Sequence, residues 1–150
     1  MRLALAGVAV DLPTGWEARA RRQPVTAPGR PGNTLLHLAT LPLPAERGDF
    51  GSGVVDLLRP DDVFVSLFEY DREEAGSALF AARGVPVVRP AEFSPTAMQR
   101  PLPGQSGGQW FFTAAGRPFC LFVVLGSHAR RTAGATRVTG LLSGVQVARL

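Results

Sequence analysis

Ser106 is the first residue whose surroundings suggest chemistry. It sits in Gly104-Gln105-Ser106-Gly107-Gly108, which matches the G-x-S-x-G elbow of serine hydrolases. That elbow needs a strand before the serine and a helix after it, so that a sharp turn exposes the hydroxyl. Here Arg100-Pro101-Leu102-Pro103 precedes, and the strand-like Gln109 to Ala114 follows. The hydrolase order also requires an acid after the serine, yet no Asp or Glu follows Glu92. The segment therefore reads as a loop before a hairpin. Gly51-Ser52-Gly53-Val54-Val55-Asp56 opens like a dinucleotide-binding loop but lacks the third glycine and any β-α-β frame, so it reads as a helix start.

The remaining reactive groups are sparse. His37, His128 and Cys120 lie at no metal-ligand spacing, so neither a metal site nor a cofactor is expected. A Cys120–His128 nucleophile pair would need a thiolate in contact with a base. Cys120 instead lies mid-strand between Phe119 and Leu121, which predicts a buried, inert thiol. Asp61-Asp62 falls at a turn. Glu73-Glu74 falls at a helix start, where the helix dipole accounts for acids without catalysis. Glu69 shares a strand face with Val63, Val65 and Leu67. Together with His37 and Tyr70 it outlines a possible cleft, the alternative reading being a small-molecule binding protein or small enzyme.

Charge is distributed unevenly. All sixteen basic residues are arginine, a bias expected of a GC-rich bacterial genome. Residues 1–92 hold ten arginines and twelve acids, net −2; residues 93–150 hold six arginines and no acid, net +6. Arg130 and Arg137, seven apart, share one helix face, while Val138, Leu141 and Leu142 take the other. This basic face, with Arg131, His128 and the hairpin residue Trp110, predicts a docking surface for an acidic protein. Six charges without a recognised motif make nucleic acid a weaker alternative.

Several elements must position these residues. The 150-residue chain is one domain's length, residues 1–150. Thirteen prolines and seventeen glycines keep elements short; the longest stretch free of both runs from Asp61 to Ala75. One cysteine excludes an internal disulfide, and no run of eighteen apolar residues offers a membrane-spanning helix. Arg2 followed by eight apolar or small residues imitates a signal peptide, but Asp11-Leu12-Pro13 supplies no cleavage site. A strand over 7–12 and a cytoplasmic location are expected.

Alternation predicts a hairpin of 8–12 with 16–21 around Pro13-Thr14-Gly15, and a strand over 34–41. Residues 23–33 read as a mobile loop. A short helix is expected over 52–58 and another over 73–83. Val63 to Tyr70 is apolar on both faces, as a central strand should be. Residues 109–114 and 118–125 form a hairpin, the second strand at the sheet centre. A weak extended segment is expected over 92–99. Apolar positions 135, 138, 141, 142 and 145 have a helical spacing and predict a helix over 130–143, ended by Gly144 and followed by an extended 145–147. The expected architecture is α+β: one twisted, mostly antiparallel sheet covered by a few short helices.

Leu12-Pro13-Thr14-Gly15-Trp16 between two early strands resembles the start of Mog1/PsbP-like domains. The close is similar too, with an aromatic hairpin, the apolar strand Phe119 to Leu125, a helix and a short extended tail. The resemblance implies an antiparallel sheet sandwiched by helices. Characterised members are binding proteins, including a partner of a small GTPase and an extrinsic subunit of photosystem II. It implies a non-enzymatic interaction or accessory-subunit role here and carries no site residue across. Whether the chain self-associates, and whether it holds a small-molecule ligand, stay open.

Overall fold

Eight strands and one α-helix account for the regular structure of the computed structural model, which describes residues 1–23 and 32–150. The strands are β1 (Arg2–Leu5), β2 (Val8–Asp11), β3 (Glu17–Arg22), β4 (Thr34–Ala39), β5 (Val63–Glu69), β6 (Ser106–Ala114), β7 (Arg117–Leu125) and β8 (Val145–Val147). The helix α1 (Arg131–Leu142) lies between β7 and β8. Ala115-Gly116, with φ of 52° and 73°, closes the β6–β7 hairpin. Ala6-Gly7, with φ of 50° and 78°, closes β1 on β2 in the same way. Two successive positive φ values match the twist of the strands they join.

The fold is α+β, with two antiparallel sheets where one was expected. The smaller has order β1-β2-β8, the larger β3-β4-β5-β7-β6. The turn Pro13-Thr14-Gly15 does not close a hairpin: β3 pairs with β4, while β2 pairs with β1 and β8. Both edges of β2 are thus taken, and the chain must cross to the second sheet. β5 lies at the centre of that sheet, and all nine residues of its neighbour β7 are buried.

Ala135, Val138, Leu141 and Leu142 of α1 pack with Leu36, Val65, Leu121 and Val123 of the larger sheet. Val8 and Val10 of the smaller sheet join the same cluster, so one core serves both sheets. Burial of each such side chain contributes about 1.5–3 kcal/mol.

A buried ion pair fastens the two sheets together. Arg117 Nε donates to Glu69 Oε2 at 2.8 Å and Nη2 to Oε1 at 3.0 Å. Its Nη1 donates to the carbonyls of Ala6 (2.9 Å) and Ala148 (3.0 Å), at the ends of the smaller sheet. The amide of Thr34 adds a third bond to Glu69.

Loops, rather than helices, cover the far face of the larger sheet. The helices expected over 52–58 and 73–83 are 3₁₀ turns at Val55–Leu57, Arg72–Glu74 and Ala78–Phe80. Gly53 (φ 87°), Gly76 (φ 74°) and Gly84 (φ 80°) break helical continuity there. In place of an extended 92–99, a 3₁₀ turn at Pro90–Glu92 leads to a single bridge between Ser94 and Gly107. Of the expected 23–33 loop, residues 24–31 lie outside the described residues.

Candidate functional site

His37 organises the loop face. Register places it opposite Ser66 on β5, while Leu36 and Leu38 point to the α1 side. Arg47 Nε donates to His37 Nδ1 at 2.8 Å. Nε2 therefore carries the ring proton and donates to the carbonyl of Asp49 at 2.8 Å. Ser66 Oγ donates to the same carbonyl at 2.7 Å. Burial lowers the His37 pKa to about 4, helped by the Arg47 and Arg21 charges and opposed by the bond to Asp49. The imidazole is neutral and serves as a fixed post.

The post delivers Phe50 to the sheet. Its ring stacks on Phe68 (5.7 Å between centroids) and meets Phe122 edge-on (5.6 Å). Gly51 allows this approach: a Cβ there would lie 2.7 Å from the Phe64 ring. Beside Phe50 the loop leaves a pocket of about 290 Å³. Phe122 and Val124 of β7 line it from the sheet, and Val55 and Met98 from the covering loops. Asp56 and Arg100 join in an ion pair within the lining, both substantially exposed. Such a pair adds little stability, about 0–1 kcal/mol.

Gln105 is the buried polar residue of the lining, 6% exposed. Its Nε2 donates to the Val55 carbonyl at 2.8 Å, tying the 3₁₀ turn to the start of β6. Its Oε1 is buried with no hydrogen-bond partner. Part of the lining, Ser52, Gly53, Val55 and Asp56 with Gln105, comes from the two segments discounted in the sequence as failed motifs. Glycine spacing was the only signal there, and it reported loop geometry rather than the motifs' chemistry.

No protein-family model, curated protein or solved structure matches the chain.

The expected cleft of His37, Glu69 and Tyr70 does not form. Glu69 holds Arg117 on the α1 side, whereas Tyr70 packs with Phe68, Phe80 and Phe111 on the loop side with His37. Strand alternation separates them. Ser106 opens β6 instead of capping a strand–helix elbow, and it is fully buried. Its Oγ shares a 2.8 Å hydrogen bond with His128 Nδ1, while the His128 amide donates to the Gly104 carbonyl. Together these bonds pin the loop before α1. Cys120 is buried, and desolvation pushes its thiol up to about 11, against a bond from Gln109 Nε2. Among the described residues no group of three His, Cys, Asp or Glu could hold a metal ion. Among them, too, no helix is long and apolar enough to cross a membrane.

The residues expected to dock a partner all make contacts within the chain. Arg130 pairs with Asp61 at 2.5 Å. Arg137 donates to the Asp61 carbonyl (2.6 Å) and lies over the Trp16 ring. Arg131 donates to the His128 carbonyl, and Trp110 Nε1 to Glu92 Oε2. Three arginines of the acid-free segment, 100, 117 and 130, meet Asp56, Glu69 and Asp61 of the first 92 residues. The charge split along the sequence is therefore in part the fold's own complementarity.

Proposed function

We propose that this chain is a non-enzymatic binding domain that holds a small molecule in the pocket between the 50–56 loop and β7. The carrying observation is the pocket itself, whose largely apolar lining includes one buried polar residue and a charged pair. Its volume, about 290 Å³, is at the lower end of the ~300–1,000 Å³ of small-molecule sites. Binding is favoured over catalysis because Ser106 is fully buried, its hydroxyl engaged with His128, and the Cys120 thiol is held protonated. Docking of an acidic protein on α1 is the weaker reading, since such a partner would displace Asp61 from Arg130. A Mog1/PsbP-like assignment belongs to the same proposal. It is supported by the passage through Leu12 to Trp16, the aromatic β6–β7 hairpin, and the order β7, α1, β8.

Saturation-transfer NMR with small aromatic fragments tests the reading. Wild type is expected to bind several of them. Met98→Trp, at a half-buried wall position, fills the space and abolishes the signals without unfolding the chain. Fragment binding that persists in Met98→Trp, or is absent from wild type, overturns it.

A further inference from the structure

Resting on that pocket, we infer that its ligand is a zwitterion with an apolar side chain, in chemical class an apolar α-amino acid, whose ammonium Asp56 receives and whose carboxylate Arg100 receives. The two residues come from separate stretches of chain, Asp56 from the Val55–Leu57 turn and Arg100 from the segment before β6. Both belong to the pocket lining, and their side chains are 51% and 65% exposed. They therefore stand where the pocket meets solvent, open to a ligand without any movement of the fold. Arg100 Nη2 donates to Asp56 Oδ1, and neither side chain makes another hydrogen bond or ion pair among the described residues. Parting them costs little, as for other exposed pairs, and breaks no other hydrogen bond.

The two charges of the pair select the head group. A lone anion would take Arg100 and leave Asp56 unpaired beside it, repelling the newcomer. A lone cation would take Asp56 and leave Arg100 in the same position. A neutral molecule gains nothing from either. A zwitterion answers both charges at once, so that one exposed pair is exchanged for two. The planar guanidinium can donate two parallel bonds to a carboxylate, and the Asp56 carboxylate accepts from the N–H groups of an ammonium. An α-amino acid carries both charged groups on one carbon, so side chains already in contact need part only slightly to seat them. The rest of the lining selects the side chain. Phe50, Val55, Met98, Phe122 and Val124 supply its apolar part. An aliphatic or aromatic side chain seated on them leaves water favourably, whereas a charged one would lose hydration there without a partner.

Calorimetric titration at neutral pH and low salt tests this with four molecules that share one phenylethyl body. Phenylalanine carries both charges, phenethylamine only the ammonium, hydrocinnamate only the carboxylate, and phenylethyl alcohol neither. Wild type is expected to bind phenylalanine about tenfold more tightly than either singly charged analogue, the worth of one net hydrogen bond to a charged group. Arg100→Gln should abolish the margin over phenethylamine, and Asp56→Asn the margin over hydrocinnamate. Both positions are exposed, so both variants keep the fold. An analogue that matches phenylalanine on wild type overturns the zwitterion while leaving the pocket reading intact. Margins that survive in the variants overturn the roles of Arg100 and Asp56. Binding of phenylethyl alcohol without phenylalanine overturns this inference alone. Binding of none of the four overturns the pocket reading and this inference with it.

Discussion

Arg117→Leu is expected to lose about 3–5 kcal/mol of stability, the usual cost of removing one partner from a buried ion pair. Glu69, 5% exposed, would keep its charge without its bidentate partner. The carbonyls of Ala6 and Ala148 would lose their donor at the same time. Against a total of ~5–15 kcal/mol for an ordinary domain, this is a large fraction. Denaturant titration should show a lower midpoint, and the melting temperature should drop by about 10 °C or more. Hydrogen exchange should quicken first in β1, β2 and β8, the sheet that Arg117 fastens. Glu69→Leu combined with Arg117→Leu should recover part of the loss, because no buried charge is then left alone. A cost below about 1 kcal/mol for Arg117→Leu would show that the pair does not join the sheets.

Acid is expected to loosen the loop face through His37. Its folded-state pKa of about 4 lies below the ordinary 6.5, so the unfolded chain binds the proton more readily. Stability from this group is therefore complete above about pH 6.5, declines as the pH falls toward 4, and is lost below. The gap corresponds to roughly 3 kcal/mol. A protonated ring cannot accept from Arg47 and sets its charge against that guanidinium, so the Arg47 side of the loop face is loosened while the Nε2 bond to the Asp49 carbonyl remains. His37→Gln can donate to Asp49 and accept from Arg47 without titrating. Denaturation measured between pH 7 and 4 should therefore show a flatter profile for that variant than for wild type. Identical profiles would refute the assignment. Asp62 acts at lower pH. Burial raises its pKa, but bonds from the Arg59 amide, the Thr40 hydroxyl and the Arg59 guanidinium outweigh that and hold it below the usual range. Its contribution is present above the ordinary carboxylate pKa and is lost as the pH falls through the lowered one.

Local periodicity carried much of the fold. Residues 135, 138, 141 and 142 are the buried stripe of α1, and the two-faced apolar runs became β5 and β7 of the larger sheet's interior. Partition into two sheets was not legible, because it depends on Val8 meeting Val147 at the opposite end of the chain. Ala6, an alanine at positive φ, also concealed the first turn. The pocket was illegible for a related reason. Its shape follows from His37 holding a loop carbonyl and from Gln105 reaching Val55, contacts between residues far apart in sequence. The basic C-terminal segment was legible as a charge, but its direction was not. Arg100, Arg117 and Arg130 find acids that only the folded chain brings near.

Chemical-shift mapping with indole tests the central claim most directly. Spectra should report the Gln105 side-chain amide, the Met98 and Val124 methyls, and the Arg and Trp side-chain N–H groups as indole is added. A binding domain built around this pocket predicts saturable shifts concentrated at Gln105, Met98 and Val124, with α1 undisturbed. Shifts gathered at Arg130, Arg137 and Trp110, or no saturable shift anywhere, would contradict it.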